Sequence, residues 1–438
     1  MKTFSQFIIA YFISITVYAA DNSGTLKILG LSEILNGYFT SPMLKVSKTR
    51  METNFNRLKQ AQADDDWELF GTVGLSQNSE VATANDDREY TDLAGTIGLR
   101  YPLLGSMETK ENAVLIAKSA IDIEGYNALQ IKDNDRRSII ASYINYWAAY
   151  LKESITNTFL LDEKEIILKL KQRNTKGLLY KSDYYEFKSA FSLAKRNLIR
   201  HVEDKNNALA DLVLFTSLEH KHFTPRNPVI KRTCITEEDV TNITQESYEL
   251  KKIKAEIDTI RNILENSSWN GVKSDFSIKQ AIGYETNPNG DNSSIAASIN
   301  LRMPLDIATY NKSGKQIIKY RLMEKRSEYD LVKTQAERKL YRQLSEVDSK
   351  LASVKFQQDR LNSVRSQKKR EVLRIKLLDG DVIEKVAQAN IREYIQLIEY
   401  IESLREYLIA KSVIGQYKGS ECVVQNIESD NTLFDMLP

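Results

Sequence analysis

Leu99-Arg100-Tyr101-Pro102-Leu103 and Leu301-Arg302-Met303-Pro304-Leu305 are one phrase written twice, 202 residues apart. Each copy closes a short run of alternating apolar and polar residues and opens a long helical pattern. Upstream of each lies another alternating run and a polar loop. Downstream of each lies a helix, a turn and a second helix. Repetition on this scale decides the architecture before any other signal is weighed. The unit is too long for a solenoid, and two copies cannot close a barrel, so the chain is expected to work as an oligomer.

The first strand pair is expected at about 69–77 and 91–101, joined by the polar loop Asn78 to Tyr90. On the second of these strands Leu93, Ile97, Leu99 and Tyr101 share one face, opposite Ala94, Thr96, Gly98 and Arg100. The second pair is expected at about 275–285 and 293–303, around the turn-rich loop Asn287 to Asn292. There Phe276, Ile278, Ile282 and Tyr284 share a face, as do Ile295, Ile299, Leu301 and Met303. A half-buried sheet in water shows the same alternation. With export, the alternation favours a membrane barrel whose apolar face meets lipid. Trp67 and Trp269, just before the first strand of each pair, suit an interfacial aromatic belt or an ordinary domain edge.

Past Pro102 and Pro304 the period changes from two to that of a helix, since proline is tolerated in a helix only at its first turn. These two prolines are therefore the expected strand-to-helix elbows. No proline follows from Ser106 to Arg173 or from Asn311 to Leu378. Nearly 70 helical residues would reach about 100 Å. The apolar positions fall in coiled-coil steps: Leu344, Val347, Leu351, Val354 and Leu361 in one helix, Leu397, Ile401, Leu404 and Leu408 in another, and Ile140, Ile144, Trp147 and Leu151 in a third. Narrow seams with charged flanks fit helices packed side by side around water, although a plain two-helix coiled coil carries them too. Reversals are expected at Thr175-Lys176-Gly177 and Asp379-Gly380-Asp381, where glycine suits a helix C-cap. Asp183 and Asp381 then sit near the starts of the return helices, where acidic groups complement the dipole.

The 438 residues hold 61 basic and 59 acidic side chains, with only 7 prolines and 17 glycines. So even a balance gives no electrostatic case for nucleic acid. Residues 1–20 carry Lys2, an apolar core from Phe7 to Tyr18 and small residues at Ala19-Ala20, the pattern of a signal peptide for export. The organisation expected is a signal peptide at 1–20, a first unit at 21–215, a linker at 216–237, a second unit at 238–418 and a polar, loosely ordered tail at 419–438. Cys234 and Cys422 leave two possibilities open, a disulfide or two separate buried thiols.

Candidate chemistry is sparse. His220 and His222 with Cys234 a dozen residues on read as a solvated pair rather than a metal site. No phosphate loop and no serine nucleophile elbow is present. Glu237-Glu238-Asp239 reads as a helix start. The expectation is no enzyme, no catalytic residue, no cofactor and no metal.

Strand pair, proline, long helix, glycine turn and return helix, all twice and behind a signal peptide, resemble the TolC-type outer-membrane efflux proteins. The resemblance spans about residues 30 to 418. It is carried by Gly98-Leu99-Arg100-Tyr101-Pro102-Leu103, Asn300-Leu301-Arg302-Met303-Pro304-Leu305, the spacing from Gly177 through Asp183 to Ala190, and the final helix Ala389 to Ala410. It implies a mainly α fold with a β-barrel part. Three protomers would close a twelve-stranded barrel in the outer membrane of a Gram-negative bacterium, continued by a helical cylinder in the periplasm. Open sheet edges, which lipid forbids, ask independently for such closure. The function implied is a passive exit duct of a tripartite efflux or type I secretion system, reached through a periplasmic adaptor from an inner-membrane pump. By position, the periplasmic tip falls on Lys176, Gly177, Leu178, Leu179 and Asp183, and on Asp379, Gly380, Asp381, Ile383 and Glu384. Asp381 and Glu384 match an acidic ring that attracts cations, while helix capping explains Asp379, Asp381 and Glu384 as well. Leu377 and Val382 stand where the family often has tyrosine and arginine, so the latch of the gate is expected to differ. The other readings are a periplasmic coiled-coil adaptor, and a receptor or scaffold working through the loops Asn78 to Tyr90 and Asn287 to Asn292.

Overall fold

The computed structural model describes residues 27–37, 39, 41–64, 66–81, 87–218, 221–230, 235–285, 292–377, 383–415, 417, 431–435 and 437. The leader at 1–20, Cys234, Cys422, His220 and the turn Asp379-Gly380-Asp381 lie outside the described residues.

The chain begins with β1 (Ile28–Leu29), α1 (Leu31–Gly37) and α2 (Pro42–Asp64). Then come the hairpin β2 (Glu68–Val81) and β3 (Asp87–Leu103), the helices α3 (Leu104–Leu161), α4 (Glu163–Thr175) and α5 (Lys181–Phe215), and the short β4 (Thr224–Pro225). After α6 (Glu237–Gln245) and α7 (Tyr248–Asn266), a second hairpin of β5 (Lys273–Glu285) and β6 (Asn292–Arg302) leads into α8 (Ile307–Leu377) and α9 (Ile383–Ile414). A short α10 (Asn431–Phe434) follows. Of the four main strands β2 to β3 is longer than the apolar alternation suggests. Its ladder continues through Val81↔Asp87, because antiparallel pairing is a backbone matter and tolerates polar side chains at a hairpin's end.

The four long strands form one antiparallel sheet in the order β2-β3-β5-β6, so among the described residues β2 and β6 are its free edges. The helices form a matching layer. In the half next to the sheet the order is α2, α3, α7, α8; farther away it is α5, α3, α9, α8. Thus α3 is packed on both sides, whereas α8 is packed on one side and α2 and α5 on one.

At 71 residues, α8 spans about 105 Å. The matching run in the first half is interrupted at Asp162, where α3 stops after 58 residues and α4 restarts. The seams read from the sequence do the packing: Val354, Leu361, Ile401, Leu404, Leu408, Ile144 and Trp147 are all buried in one cluster. That cluster lies partway down the helical layer, and elements with no periodicity complete it. β1 pairs in parallel with β4, Phe223 stacks on Tyr146 with ring centroids 4.5 Å apart, and Tyr143 Oη donates to the carbonyl of Leu29 at 3.0 Å. Of the tail expected to be loose, 419–430 lie outside the described residues, while residues 431–435 and 437 return to this core. Leu433 is buried, Tyr400 Oη donates to its carbonyl, and the Phe434 ring meets Trp147 edge-on at 5.9 Å. A few anchors are enough to hold a segment that is otherwise polar.

Candidate functional site

The sheet presents two unlike faces. Register places Leu69 opposite Leu99, Leu99 opposite Ile278, and Phe276 opposite Ile299. Leu69, Val73, Ile97, Leu99, Ile278, Ile282, Ile295, Ile299 and Leu301 are consequently gathered on one face, and all are exposed. The opposite face is small and polar. Glu68 and Arg100 pair at 3.1 Å, Ser277 and Ser298 share a hydrogen bond of 2.9 Å, and Asn300 Nδ2 donates to Asp275 at 2.9 Å. Phe70 is the large apolar exception there; its ring folds over Gly98, where an added Cβ would lie 2.8 Å from Phe70 Cζ. At the helix end of the apolar face Trp67 meets Tyr101 at 5.2 Å and Phe276 at 6.3 Å. An apolar face of this extent left in water is a binding surface by default. Among the described residues no helix is long and apolar enough to cross a membrane.

The two elbows differ in construction. Pro102 is buried at the end of β3, and the chain turns into α3 through Leu104 at φ 43°. Gly105 then packs so tightly under the turn before β5 that an added Cβ would lie 2.1 Å from the carbonyl oxygen of Val272 and 2.3 Å from that of Trp269. Glu108 accepts from the backbone N–H groups of Ser268 and Trp269 at 3.0 and 2.7 Å. Ser274 Oγ donates to the carbonyl of Leu103 at 2.8 Å. The first elbow is thereby bolted to the second hairpin. At the second elbow, Pro304 is followed by a turn in which Asp306 accepts from the N–H of Thr309 at 3.1 Å, and Leu305 is fully exposed. Glycine three residues after proline, at a helix start where it costs stability, was the available signal for the first elbow.

At the far end, α4 closes with a Schellman motif. The N–H of Leu178 donates to the carbonyl of Arg173 at 2.9 Å and that of Gly177 to Asn174 at 3.1 Å. Gly177 sits at φ 73°, a conformation that side chains resist. Lys176 caps the helix, Asn174 Nδ2 donates to the carbonyl of Leu179 at 3.0 Å, and Asp183 stands in the first turn of α5. Leu170, Leu179, Phe187 and Ala387 form a small buried cluster that fastens this tip to the start of α9. There Glu384 pairs with Arg173 at 3.2 Å, both side chains mostly buried. The structure therefore joins two of the expected tip elements, the first turn and Glu384, through an arginine that sequence spacing did not single out. Of the other expected residues, Asp379, Gly380 and Asp381 lie outside the described residues.

Between tip and core, charges stitch α3, α8 and α9 together. Glu402 receives Lys152 and Arg405, the latter through Nε at 3.0 Å. Burial raises its carboxyl, but the two cations outweigh it and hold the pKa down at about 2. Glu393 is likewise raised by burial and lowered further by Lys368 and Arg365, at 2.6 and 3.1 Å. His201 on α5 is buried with neither ring nitrogen hydrogen-bonded, and burial, with Lys152 adding to it, pushes its pKa down to about 4. Between pH 6.5 and 4 the unfolded chain binds the proton and the folded chain does not. Stability due to His201 is full above pH 6.5 and falls as pH falls through that window; Glu402 extends the loss from about 4.5 toward 2. A thermal-melting series of His201→Phe is expected to be flatter than wild type between pH 6.5 and 4, with the loss below pH 4.5 retained.

An antiparallel sheet with one exposed apolar face, hung on a layer of very long helices, is the fold of solved outer-membrane channels. A membrane protein from Pseudomonas aeruginosa matches with a TM-score of 0.70 at 13% identity, covering 88% of this chain and 91% of that one. The outer membrane protein VceC from Vibrio cholerae matches at 0.64 and 14% identity, over 89% and 95%. The open state of the MtrE outer membrane channel from Neisseria gonorrhoeae matches at 0.68 and 11% identity, over 91% and 94%. No protein-family model matches the sequence, and no curated protein does.

Proposed function

We propose that this chain forms a passive exit duct in the outer membrane of a Gram-negative bacterium. Three copies would join into a twelve-stranded barrel continued by a periplasmic helical cylinder. The observation that carries this reading is the sheet: its apolar face is exposed, its other face is polar, and β2 and β6 are both free. Lipid forbids open strand edges, and closure on further copies removes them while turning the polar face to a water-filled lumen. The solved channels of the same fold support the reading. Cargo would arrive from an inner-membrane pump through a periplasmic adaptor docked at the helical tips, in a tripartite efflux or type I secretion system. No residue set points to an enzyme.

The tip would be the gate. Arg173–Glu384 ties the end of the first helical hairpin to the start of α9, so parting the hairpins requires that this pair break. Single-channel recording in planar bilayers tests both levels of the reading. Wild type is expected to show small, discrete conductance steps, and Arg173→Ala a conductance several-fold larger. Asp381→Asn should weaken block by multivalent cations at least tenfold, whereas Glu384→Gln, which takes away the partner of Arg173, should raise conductance as Arg173→Ala does. A protein that passes no current, with or without Arg173, would favour the receptor or scaffold reading.

A further inference from the structure

Where α2 ends and α3 begins, the two helices leave a cleft of about 650 Å³ between them. Arg57 and Asp64, two helical turns apart, lie on the face of α2 turned toward it, and Lys110 comes from α3. Asp66, Trp67 and Glu68 close it toward the sheet. Some of these groups are already committed. Glu68 pairs with Arg100 at 3.1 Å, and Asp66 Oδ1 accepts from the N–H of Trp67 at 2.8 Å. Lys110 Nζ donates to the carbonyl of Asp64 and keeps further donors. Arg57 and the Asp64 carboxylate have no hydrogen bond or ion pair among the described residues. The cleft therefore offers donors for an anion from two helices and, within the same walls, acceptors for a cation. Asp64, Asp66 and Glu68 outnumber Arg57 and Lys110, so a ligand of net negative charge is opposed and one carrying both signs is favoured.

Position says what such a ligand is. Trp67 lines the cleft and also meets Tyr101 and Phe276 at the foot of the apolar face. Tryptophan and tyrosine gather where hydrocarbon gives way to headgroups, a layer about 5–7 Å deep. A lipid whose chains lie along the exposed Leu69 and Leu99 sets its headgroup at the level of Trp67. Arg57 starts farther from the sheet, and its long side chain can snorkel up to that level.

We propose that the α2–α3 cleft holds the headgroup of a phospholipid carrying a primary amine, of the phosphatidylethanolamine kind. Its phosphate lies between Arg57 and Lys110, in charge-assisted hydrogen bonds. Its ammonium donates to Asp64 and to the free oxygen of Asp66. A choline headgroup has no N–H to donate, and a glycerol headgroup leaves the lipid net negative against acidic walls. The bound headgroup would tie the end of α2 to α3 beside the first elbow. The inference rests on the membrane reading above and adds a lipid site to it.

Lipid retention tests this. The purified full chain is exchanged through mixed micelles of dioleoylphosphatidylethanolamine, dioleoylphosphatidylcholine or dioleoylphosphatidylglycerol, and retained lipid is counted by native mass spectrometry. One ethanolamine lipid per chain is expected, at least fivefold above the other two. Arg57→Gln and Asp64→Asn should each lower it at least fivefold, with circular dichroism unchanged. Lys59→Gln, on the opposite face of α2, should leave it as in wild type. Millimolar inorganic phosphate should not displace the lipid; displacement would mean that the cleft takes a free anion and would overturn the proposal. Equal retention of the three lipids, or retention indifferent to Arg57 and Asp64, would overturn it too. So would no retained lipid from a protein whose apolar-face probes are still quenched by lipid, and then the membrane reading survives. If those probes are not quenched either, both fall.

Discussion

Gly105→Val is expected to prevent the chain from reaching its assembled, heat-resistant state. An added Cβ at this position would meet two backbone oxygens, at 2.1 Å from Val272 and 2.3 Å from Trp269. Neither oxygen can step aside cheaply. Val272 N donates to the Trp269 carbonyl at 3.0 Å, the same turn is held by Glu108, and two residues on the N–H of Ser274 donates to Ser106 Oγ at 2.9 Å. Overpacking against fixed backbone costs roughly 3 kcal/mol or more. The effect also sits where sheet hands over to helix, so it should misdirect the whole of α3. Gly125→Ala in the same helix is the contrast. Its Cβ would touch only Met51 Cε, at 3.8 Å, and the gain in helix propensity is up to about 1 kcal/mol. Heat resistance of the oligomer on denaturing gels should vanish for Gly105→Val and persist for Gly125→Ala. Similar behaviour of the two variants would mean that the elbow is not clamped as described.

Trp147→Ala should be the most damaging single truncation in the helical layer. Trp147 is 1% exposed, its Nε1 donates to Asn227 Oδ1 at 3.1 Å, and its ring supports Phe434. Removing a buried indole costs about 3–5 kcal/mol. Its loss leaves Asn227 without that donor and releases the segment around Leu433. Thermal unfolding followed by far-ultraviolet circular dichroism should shift down markedly, and chymotrypsin should cut after Leu433 or Phe434 at temperatures where wild type resists. A large loss of stability with the tail still protected would show that Tyr400, through the Leu433 carbonyl, holds the tail alone.

The parts of this architecture legible from sequence are those in which one local period repeats many times. The seams through Leu344 to Leu361 and Leu397 to Leu408 were visible because each apolar residue predicts the next. Gly177 was visible because a helix end asks for a residue that tolerates positive φ. Three features were hidden for physical reasons. Phe223, Leu433 and Phe434 dock as single anchors, and a single apolar residue in a polar segment carries no period. The halt at Asp162 leaves a charged, helix-compatible sequence unmarked by proline or glycine. Arg173–Glu384 joins residues far apart in the chain, and no spacing rule reaches that distance. The free strand edges were foreseeable from the count of strands.

The central claim is that the apolar face of the sheet meets lipid and the polar face meets water. Single cysteines placed in the reconstituted protein, in a background lacking Cys234 and Cys422, report on it directly. On the apolar face, probes at Leu69, Ile97, Ile278 and Ile299 are expected to be quenched by spin-labelled lipid and to react slowly with a charged, water-soluble maleimide. On the other face, Thr72, Thr96, Ser277 and Ser298 should show the reverse, so that reactivity alternates with a period of two along every strand. Uniform protection of the apolar positions from both lipid and water would contradict it, because the sheet would then be packed against protein.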